Sequence, residues 1–123
     1  MATTTVMVVE DDPAFLARFC RIVAQSPTLS LLAAVGDLAS ARRAIDRQAP
    51  DVLLTDLGLP DGSGLSLGRH VRSRPHPPKS LIALSGFGAP SDVEASRQAG
   101  FDVHLTKPAD IDRLLEILSA VPQ

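Results

Sequence analysis

The sequence predicts an α/β fold: one doubly wound sheet of five parallel strands, with five helices packed on both faces. The first observation is that five short apolar runs alternate with longer segments whose apolar residues recur at helical spacing. Such alternation is typical of parallel sheets covered on both faces. The second observation is the length of 123 residues, which is enough for one such sheet but not for a second globular unit. We therefore expect a single domain over residues 1–123.

The five predicted strands are short, mostly apolar runs, and several of them end in a polar residue. They cover Thr5–Glu10, Leu29–Val35, Asp51–Asp56, Leu81–Ser85 and Phe101–Thr106. In an open parallel sheet, ligands bind beyond the carboxyl ends of the strands, near the point where the strand order reverses. The polar residues at those ends are therefore the first candidates for a functional site.

The first three predicted helices begin at residues that can cap a helix. Asp12 followed by a proline is typical of a helix start, because the carboxylate caps the first turn and a proline there loses no hydrogen bond. Asp37 can cap the second helix, which Pro50 ends. The third helix runs from about Ser63 to Arg74, after a predicted loop at residues 58–64 that is rich in Gly, Pro and Asp.

The last two helices are predicted from a capping motif and from an apolar stripe. Ser91 and Glu94 have the S-x-x-E spacing of a capping box, which opens a short fourth helix that Gly100 ends. The apolar face of the fifth helix consists of Ile111, Leu114, Leu115, Leu118 and Val121. With these two helices, each predicted strand is followed by one helix.

The composition excludes several classes of function. The net charge of −2 provides no basic field of the kind that nucleic-acid binding needs. Cys20 is the only cysteine, which rules out an internal disulfide and a multi-cysteine metal site; we expect it to be a small buried side chain of the first helix. No apolar run approaches the roughly 18 residues of a membrane span, and the N-terminus lacks a basic region followed by an apolar stretch. We expect a cytoplasmic protein that binds neither nucleic acid directly nor a membrane.

Polar residues stand where four of the five apolar runs stop. Glu10 and Asp11 follow the first strand, Asp56 ends the third, Ser85 ends the fourth, and Lys107 follows the fifth. A lone Asp in a turn is most often a cap or a turn residue. Five such positions at one edge of a predicted sheet are much harder to explain by chance, so we expect these side chains to form one site.

The chemistry of this set is that of phosphoryl transfer to a carboxylate. Three carboxylates placed together raise one another's pKa unless a cation lies among them. Oxygen ligands without a cysteine cluster predict a hard divalent cation, most plausibly Mg²⁺. Lys107 adds a second positive charge, and Ser85 can donate a hydrogen bond to a phosphoryl oxygen. Asp56 can then act as the nucleophile and form an aspartyl phosphate.

Four segments of the chain resemble, in order and spacing, the signature segments of bacterial response-regulator receiver domains. They read VVEDDP, DVLLTDLGLPDGSG, IALSG and HLTKP, and the resemblance extends from Thr5 to Leu118. It implies a flavodoxin-like fold with strand order 2-1-3-4-5. It also implies that the chain takes a phosphoryl group from a histidine kinase or a phosphotransfer protein in a Mg²⁺-dependent reaction. Such a domain assists its own phosphorylation and dephosphorylation rather than turning over a separate substrate.

The resemblance also assigns the metal ligands. By position, Asp11 is the direct acidic ligand and Glu10 its partner through water. Asp56, the phosphoacceptor, contributes an oxygen, and Gly58 contributes its backbone carbonyl. Asp12 matches no ligand position and remains a helix cap.

The resemblance further assigns the residues that respond to phosphorylation. Ser85 is the hydroxyl that turns toward the phosphoryl group, and Lys107 is the lysine that pairs with it. The responding face comprises the fourth helix, the fifth strand and the fifth helix, and it would bind an output domain or a partner protein. Exposed candidates for partner contacts are Asp92, Arg97 and Asp102. A phosphorylation-linked dimer, and whether the chain stands alone or belongs to a longer protein, stay open.

Three positions depart from the family pattern. His104 stands three residues before the lysine, where Tyr or Phe is common; it is either the switch side chain that links Ser85 to the output face or a solvent-facing residue of an edge strand. Gly58 has no side chain to position an attacking water. Phe87 could shield the phosphoryl group. The last two departures predict slow self-dephosphorylation.

Three other functions remain as alternatives. A degenerate receiver that binds partners without phosphate would lack part of the residue set, which is complete here. A metal-dependent phosphohydrolase would need a second acid at Gly58 and a cap region. A histidine phosphotransfer module would need an exposed reactive histidine, for which His70 and His76 are poor candidates.

Overall fold

The computed structural model describes residues 3–86, 90–107 and 111–120, which contain seven strands and five helices. The strands are β1 (Thr4–Val9), β2 (Leu29–Val35), β3 (Val52–Asp56), β4 (Gly58–Leu59), β5 (Gly62–Ser63), β6 (Ser80–Ser85) and β7 (Val103–Thr106). The helices are α1 (Pro13–Gln25), α2 (Leu38–Arg47), α3 (Gly64–Arg72), α4 (Pro90–Gln98) and α5 (Ile111–Ser119). All five predicted strands and five predicted helices are present, with small differences at their ends.

Five strands form one parallel sheet in the order β2-β1-β3-β6-β7. This is the predicted order 2-1-3-4-5 once β4 and β5 are set aside, so the predicted fold is confirmed. The strand order reverses at β1, between β2 and β3. Val9 pairs with Thr55, and Glu10 and Asp56 are the next residues of their strands, so they reach the carboxyl edge at the same level.

The core has two layers because successive side chains of a strand point to opposite faces. On one face, strand residues such as Val8, Leu54 and Leu84 pack against α1 and α5. On the other face, residues such as Met7 and Leu53 pack against α2 and α3. The central strands β1, β3 and β6 are almost entirely buried, which provides a rigid base for the residues at their carboxyl ends.

Helix caps follow the sequence prediction except in α4. Asp12 accepts hydrogen bonds from the amides of Ala14 and Phe15, and Asp37 accepts one from the amide of Ser40. The predicted cap at Ser91 is wrong, because α4 already begins at Pro90, a residue that the first turn of a helix tolerates. Val121 and Phe87 lie outside the described residues.

The segment predicted as a loop after β3 is a two-stranded antiparallel hairpin. Strands β4 and β5 pair through Gly58–Ser63 and Leu59–Gly62. The turn is fastened to the start of α2, because the Asp61 carboxylate accepts hydrogen bonds from the amides of Leu38 and Ala39 at 2.7 and 3.0 Å. These bonds lower the pKa of Asp61. The prediction missed the hairpin because two-residue strands leave no periodic pattern.

Cys20 lies on α1 as predicted, but its side chain is only half-buried, so the predicted burial is wrong. The burial that it does have raises its pKa.

The start of α3 packs directly against the end of β3, and Gly64 makes this close packing possible. A Cβ atom at Gly64 would collide with the carbonyl oxygen of Asp56 and touch the Cα atom of Leu57. The Gly64 amide also donates a hydrogen bond to the Leu57 carbonyl at 2.9 Å. The backbone position of Asp56 therefore depends on a residue without a side chain at position 64.

We expect Gly64→Ala to destabilise the domain by about 1–3 kcal/mol, because the overlap involves backbone atoms that cannot move aside by a rotamer change. Urea denaturation measures this change. Gly58→Ala is the matched control, since a Cβ atom at Gly58 meets nothing within 4 Å. Equal stability of the two variants would contradict the close packing.

Candidate functional site

Three carboxylates meet at the carboxyl edge of β1 and β3. Glu10, Asp11 and Asp56 each offer an oxygen atom, and these atoms lie within 4.8 Å of one another. The parallel pairing of β1 with β3 produces this proximity, because both strands end at the same edge. Glu10 and Asp56 are buried, whereas Asp11 is exposed to solvent. The predicted acidic cluster is therefore present.

Lys107 brings the end of β7 into the same cluster. Its Nζ atom donates hydrogen bonds to Oε1 of Glu10 at 2.5 Å and to Oδ2 of Asp56 at 3.0 Å. The other oxygen of Asp56, Oδ1, accepts a hydrogen bond from the Gly58 amide at 3.1 Å. Both oxygens of Asp56 are thus oriented by donors from separate segments of the chain.

Glu10 lies in an unfavourable environment for a charged carboxylate. Its side chain is completely buried, and its Oε2 atom has no hydrogen-bond partner among the described residues. Burial raises the pKa of Glu10 to about 7; the hydrogen bond from Lys107 opposes this rise, and the neighbouring Asp56 adds to it. Burial alone would lower the pKa of Lys107, but its bonds to Glu10 and Asp56 outweigh burial, and the pKa is raised.

The residues present fit a hard divalent cation. The cluster provides carboxylate oxygens only, and one of them is a buried oxygen without a partner. Mg²⁺ prefers such ligands and keeps several of its waters. Glu10, Asp11 and Asp56 are the residues that would hold it. The predicted carbonyl ligand at Gly58 remains a prediction; the contact observed at this residue is the amide bond to Asp56.

Phe15 is a part of the site that no sequence motif indicated. The Nζ atom of Lys107 lies 4.7 Å from the centroid of the Phe15 ring, which is a cation–π contact. Phe15 in turn stacks against Phe19, with ring centroids 6.3 Å apart. The ring therefore covers the ammonium group from the side of α1. Only its place one turn after Asp12 could have indicated this role.

Ser85 and His104 are in direct contact. The Ser85 Oγ atom and the Nε2 atom of His104 are 2.8 Å apart, and Nδ1 of the same ring is 3.0 Å from Oγ of Ser96 on α4. The alternative of a solvent-facing His104 is therefore wrong. Of the two alternatives, only an inward-facing side chain beside Ser85 fits the structure.

A cleft of about 390 Å³ opens beside the phosphoacceptor candidate. Asp56, Ser85 and Lys107 contribute its polar wall, and Leu65 and Ala95 contribute apolar surface from α3 and α4. The cleft gives solvent and small groups access to Asp56 while the sheet closes the site from below.

The three candidate partner residues have different surroundings. Asp92 lines the cleft. Arg97 is largely exposed and pairs with Glu94 at 2.6 Å. Asp102 accepts hydrogen bonds from Arg72 at 2.8 Å and from the amide of Leu81 at 2.7 Å, which gives it a structural role in fastening β6.

The two other histidines lie away from the acidic cluster. His70 on α3 bonds to Asp46 on α2 at 3.3 Å, and His76 lines a separate surface groove. Neither contact brings a histidine to Asp56.

The fold and this edge of the sheet define a class of protein, and comparison with known proteins agrees. Residues 6–119 match the family described as "Response regulator receiver domain". The chain belongs to this family and is a receiver domain of the bacterial two-component type.

Two curated relatives illustrate the similarity. The chain is 36% identical over 115 residues to a protein-glutamate methylesterase/protein-glutamine glutaminase of Cereibacter sphaeroides, covering 90% of this chain and 31% of that protein. It is 32% identical over 117 residues to the photosynthetic apparatus regulatory protein RegA of Rhodobacter capsulatus, covering 94% of this chain and 61% of RegA. The chain thus spans less than two thirds of the length of either relative.

Two solved structures are similar over almost the whole chain. The receiver domain of the putative regulator NarL of Mycobacterium tuberculosis has a TM-score of 0.86 at 24% identity, covering 98% of this chain and 99% of that one, and it shows the shared fold. The receiver domain of the sensor histidine kinase PA1611 of Pseudomonas aeruginosa has a TM-score of 0.83 at 29% identity, covering 98% of both chains. That structure has a magnesium ion coordinated in its active site cleft.

Within the described ranges, none of the helices combines the length and the apolar character that crossing a membrane requires.

The raised pKa of Glu10 predicts a pH dependence of stability in protein freed of metal with EDTA. The pKa rises from 4.5 to about 7 on folding, so this group contributes stability that is fully present below pH 4.5 and is lost as the pH rises through about 7. The contribution amounts to roughly 3 kcal/mol at most. Urea denaturation between pH 5 and pH 8 measures it. Glu10→Gln should remove this part of the pH dependence, and parallel profiles for parent and variant would contradict the assignment.

Proposed function

We propose that this receiver domain accepts a phosphoryl group on Asp56 from a histidine kinase or a phosphotransfer protein, in a reaction that depends on Mg²⁺. The observation that carries the proposal is the position of Asp56: its carboxylate lies among Glu10, Asp11 and Lys107, at the mouth of an open cleft. The domain promotes its own phosphorylation and dephosphorylation, and no separate substrate is turned over.

The arrangement supports transfer of a phosphoryl group by positioning and by electrostatics. A carboxylate oxygen of Asp56 attacks phosphorus, the P–N bond to the donor imidazole breaks, and the imidazole nitrogen keeps the electron pair. When bound at the acidic cluster, Mg²⁺ would neutralise charge that develops on the phosphoryl oxygens. Lys107 already contacts Asp56 at 3.0 Å, so its ammonium group can pair with a phosphoryl oxygen after a small movement.

The product carries a signal because it adds charge at one point. A phosphoryl group adds about −1.5 to −2 charges and three acceptor oxygens. Ser85, at the end of the adjacent strand β6, has to leave its partner on the ring of His104 to reach them. The switch therefore acts on α4 and β7, and with α5 these form the face that we propose for an output domain or a partner protein.

The decisive experiment is phosphorylation by a small donor. The parent protein is incubated with acetyl phosphate and Mg²⁺, and its intact mass is compared with those of Asp56→Ala and Asp46→Ala. Asp46 is the matched control, because it is an exposed carboxylate of α2 that pairs only at the surface, with His70 and Arg74. We expect one added phosphoryl group in the parent and in the control, and none in Asp56→Ala or in the presence of EDTA.

A negative result has a defined meaning if beryllofluoride, a mimic of the phosphoryl group, is tested as well. Failure of both reagents in the parent would overturn phosphoacceptance. The degenerate receiver, which binds its partner independently of phosphate, would then be the better description.

The Gly58 position predicts a long lifetime of the phosphorylated form. Gly58 offers no side chain to orient an attacking water, and a Cβ atom there would meet open space. We therefore expect Gly58→Asn to fold normally and to hydrolyse the acyl phosphate roughly tenfold faster, which corresponds to about 1.4 kcal/mol of barrier. The decay of the phosphorylated mass in buffer measures the rate. Gly58→Ala, which adds no polar group, is the control, and an equal rate in all three proteins would contradict the explanation.

A further inference from the structure

A continuous chain of hydrogen bonds leads from the acceptor site into α4. Ser85 Oγ contacts Nε2 of His104 at 2.8 Å, Nδ1 of the ring contacts Ser96 Oγ at 3.0 Å, and Ser96 Oγ donates to the carbonyl of Val93 at 2.8 Å. Ser96 belongs to none of the sequence motifs, and among the described hydrogen bonds none joins it to the acidic cluster. Ser96 is therefore a member of this hydrogen-bond chain whose role the proposed function does not yet explain.

The number of protons on these side chains determines which atom donates in each hydrogen bond. A hydroxyl has one proton, and Ser96 uses it on the Val93 carbonyl, which can only accept. Ser96 must then accept from Nδ1–H of His104. In a neutral imidazole the other nitrogen has no proton, so Nε2 accepts from the hydroxyl of Ser85.

Ser96 has an unusual place on α4. Among residues 92–98, where side chains are described, Ser96 alone is buried, with 2% of its surface exposed. The neighbouring side chains Val93, Glu94, Arg97 and Gln98 are exposed. This stretch of the helix thus contributes no buried apolar side chain to the core, and segments with few buried apolar contacts shift at a low free-energy cost. The polar contact of Ser96 with His104 therefore contributes to holding α4 in place.

We propose that Ser96 is a positioning residue of the phosphorylation switch: it holds His104 from the α4 side and passes the loss of the Ser85–His104 bond to the helix. The inference rests on the proposed function of Asp56. The phosphoryl group draws the Ser85 hydroxyl away from Nε2, and the ring is left with Ser96 as its hydrogen-bond partner among these residues. The ring then moves with Ser96 or leaves it, and α4 changes position in either case.

In this chain the coupling runs through hydrogen bonds of defined direction, because both nitrogens of the ring are used. A Phe at position 104 could fill the space of the ring, but it could bond to neither serine. The substitution His104→Phe therefore separates the effect of the ring's shape from the effect of its hydrogen bonds.

The first test is the tautomer of His104 in the unphosphorylated protein. Long-range ¹H–¹⁵N correlation spectra at alkaline pH distinguish Nδ1–H from Nε2–H, and His104→Gln assigns the signals against those of His70 and His76. We expect the Nδ1–H form in the parent and a loss of this preference in Ser96→Ala. An Nε2–H form in the parent would overturn the inference, whatever the state of Asp56.

The second test is the response of α4 to beryllofluoride with Mg²⁺, followed by the amide resonances of residues 92–98. We expect the shifts to fall at least twofold in Ser96→Ala and in His104→Phe. In a separate incubation with acetyl phosphate and Mg²⁺, both variants should still gain the phosphoryl mass on Asp56. Ser119→Ala is the matched control, because Ser119 bonds to the Leu115 carbonyl of its own helix and has no bond to the site. It should behave as the parent.

The outcomes separate the two proposals. A full α4 response in Ser96→Ala or in His104→Phe would overturn the relay and leave phosphoacceptance intact. Loss of the phosphoryl mass in Ser96→Ala would also overturn it, since Ser96 would then support the acceptor site itself. If the parent gains no mass and shows no response, the proposed function fails and the relay fails with it.

Discussion

The structure depends on the ion pairs of Lys107 with Glu10 and Asp56. These two carboxylates are buried because they end two central strands of a sheet that is covered on both faces. Buried charges are costly unless they are paired, and one ammonium group contacts both. The pairing also joins the end of β7 to the ends of β1 and β3, and the ring of Phe15 adds a contact from α1. Lys107 is thus held by contacts with three other elements of the fold.

The ammonium group of Lys107 does not compensate all the carboxylates of the cluster, and the uncompensated negative charge determines what the site can bind. Oε2 of Glu10 is buried and has no hydrogen-bond partner in the described part of the chain, and the pKa of Glu10 stays raised to about 7 even beside Lys107. Added positive charge relieves both features. These features fit the Mg²⁺ dependence that we propose, because a bound cation would compensate the buried negative charge.

The two sides of the cleft differ in how firmly they are attached to the sheet. On the α3 side, Gly64 lets the helix approach the backbone of Asp56, and Leu67 and Val71 anchor the helix in the core. On the α4 side, the described side chains of residues 92–98 include a single buried one, Ser96. The two walls of the cleft therefore differ in how many of their described side chains are buried against the sheet.

The sequence by itself determined the fold class, the two aspartate caps and the residues at the strand ends, while the strand order came from the resemblance to receiver domains. These features depend on local periodicity and on a general rule of parallel sheets, and both are visible in one dimension. The tertiary structure alone decided which side chains touch: Phe15 over Lys107, Asp102 with Arg72, and His104 between Ser85 and Ser96. Those contacts join residues from different elements, and their directions depend on packing. No spacing in the sequence encodes the direction in which a ring or a hydroxyl points.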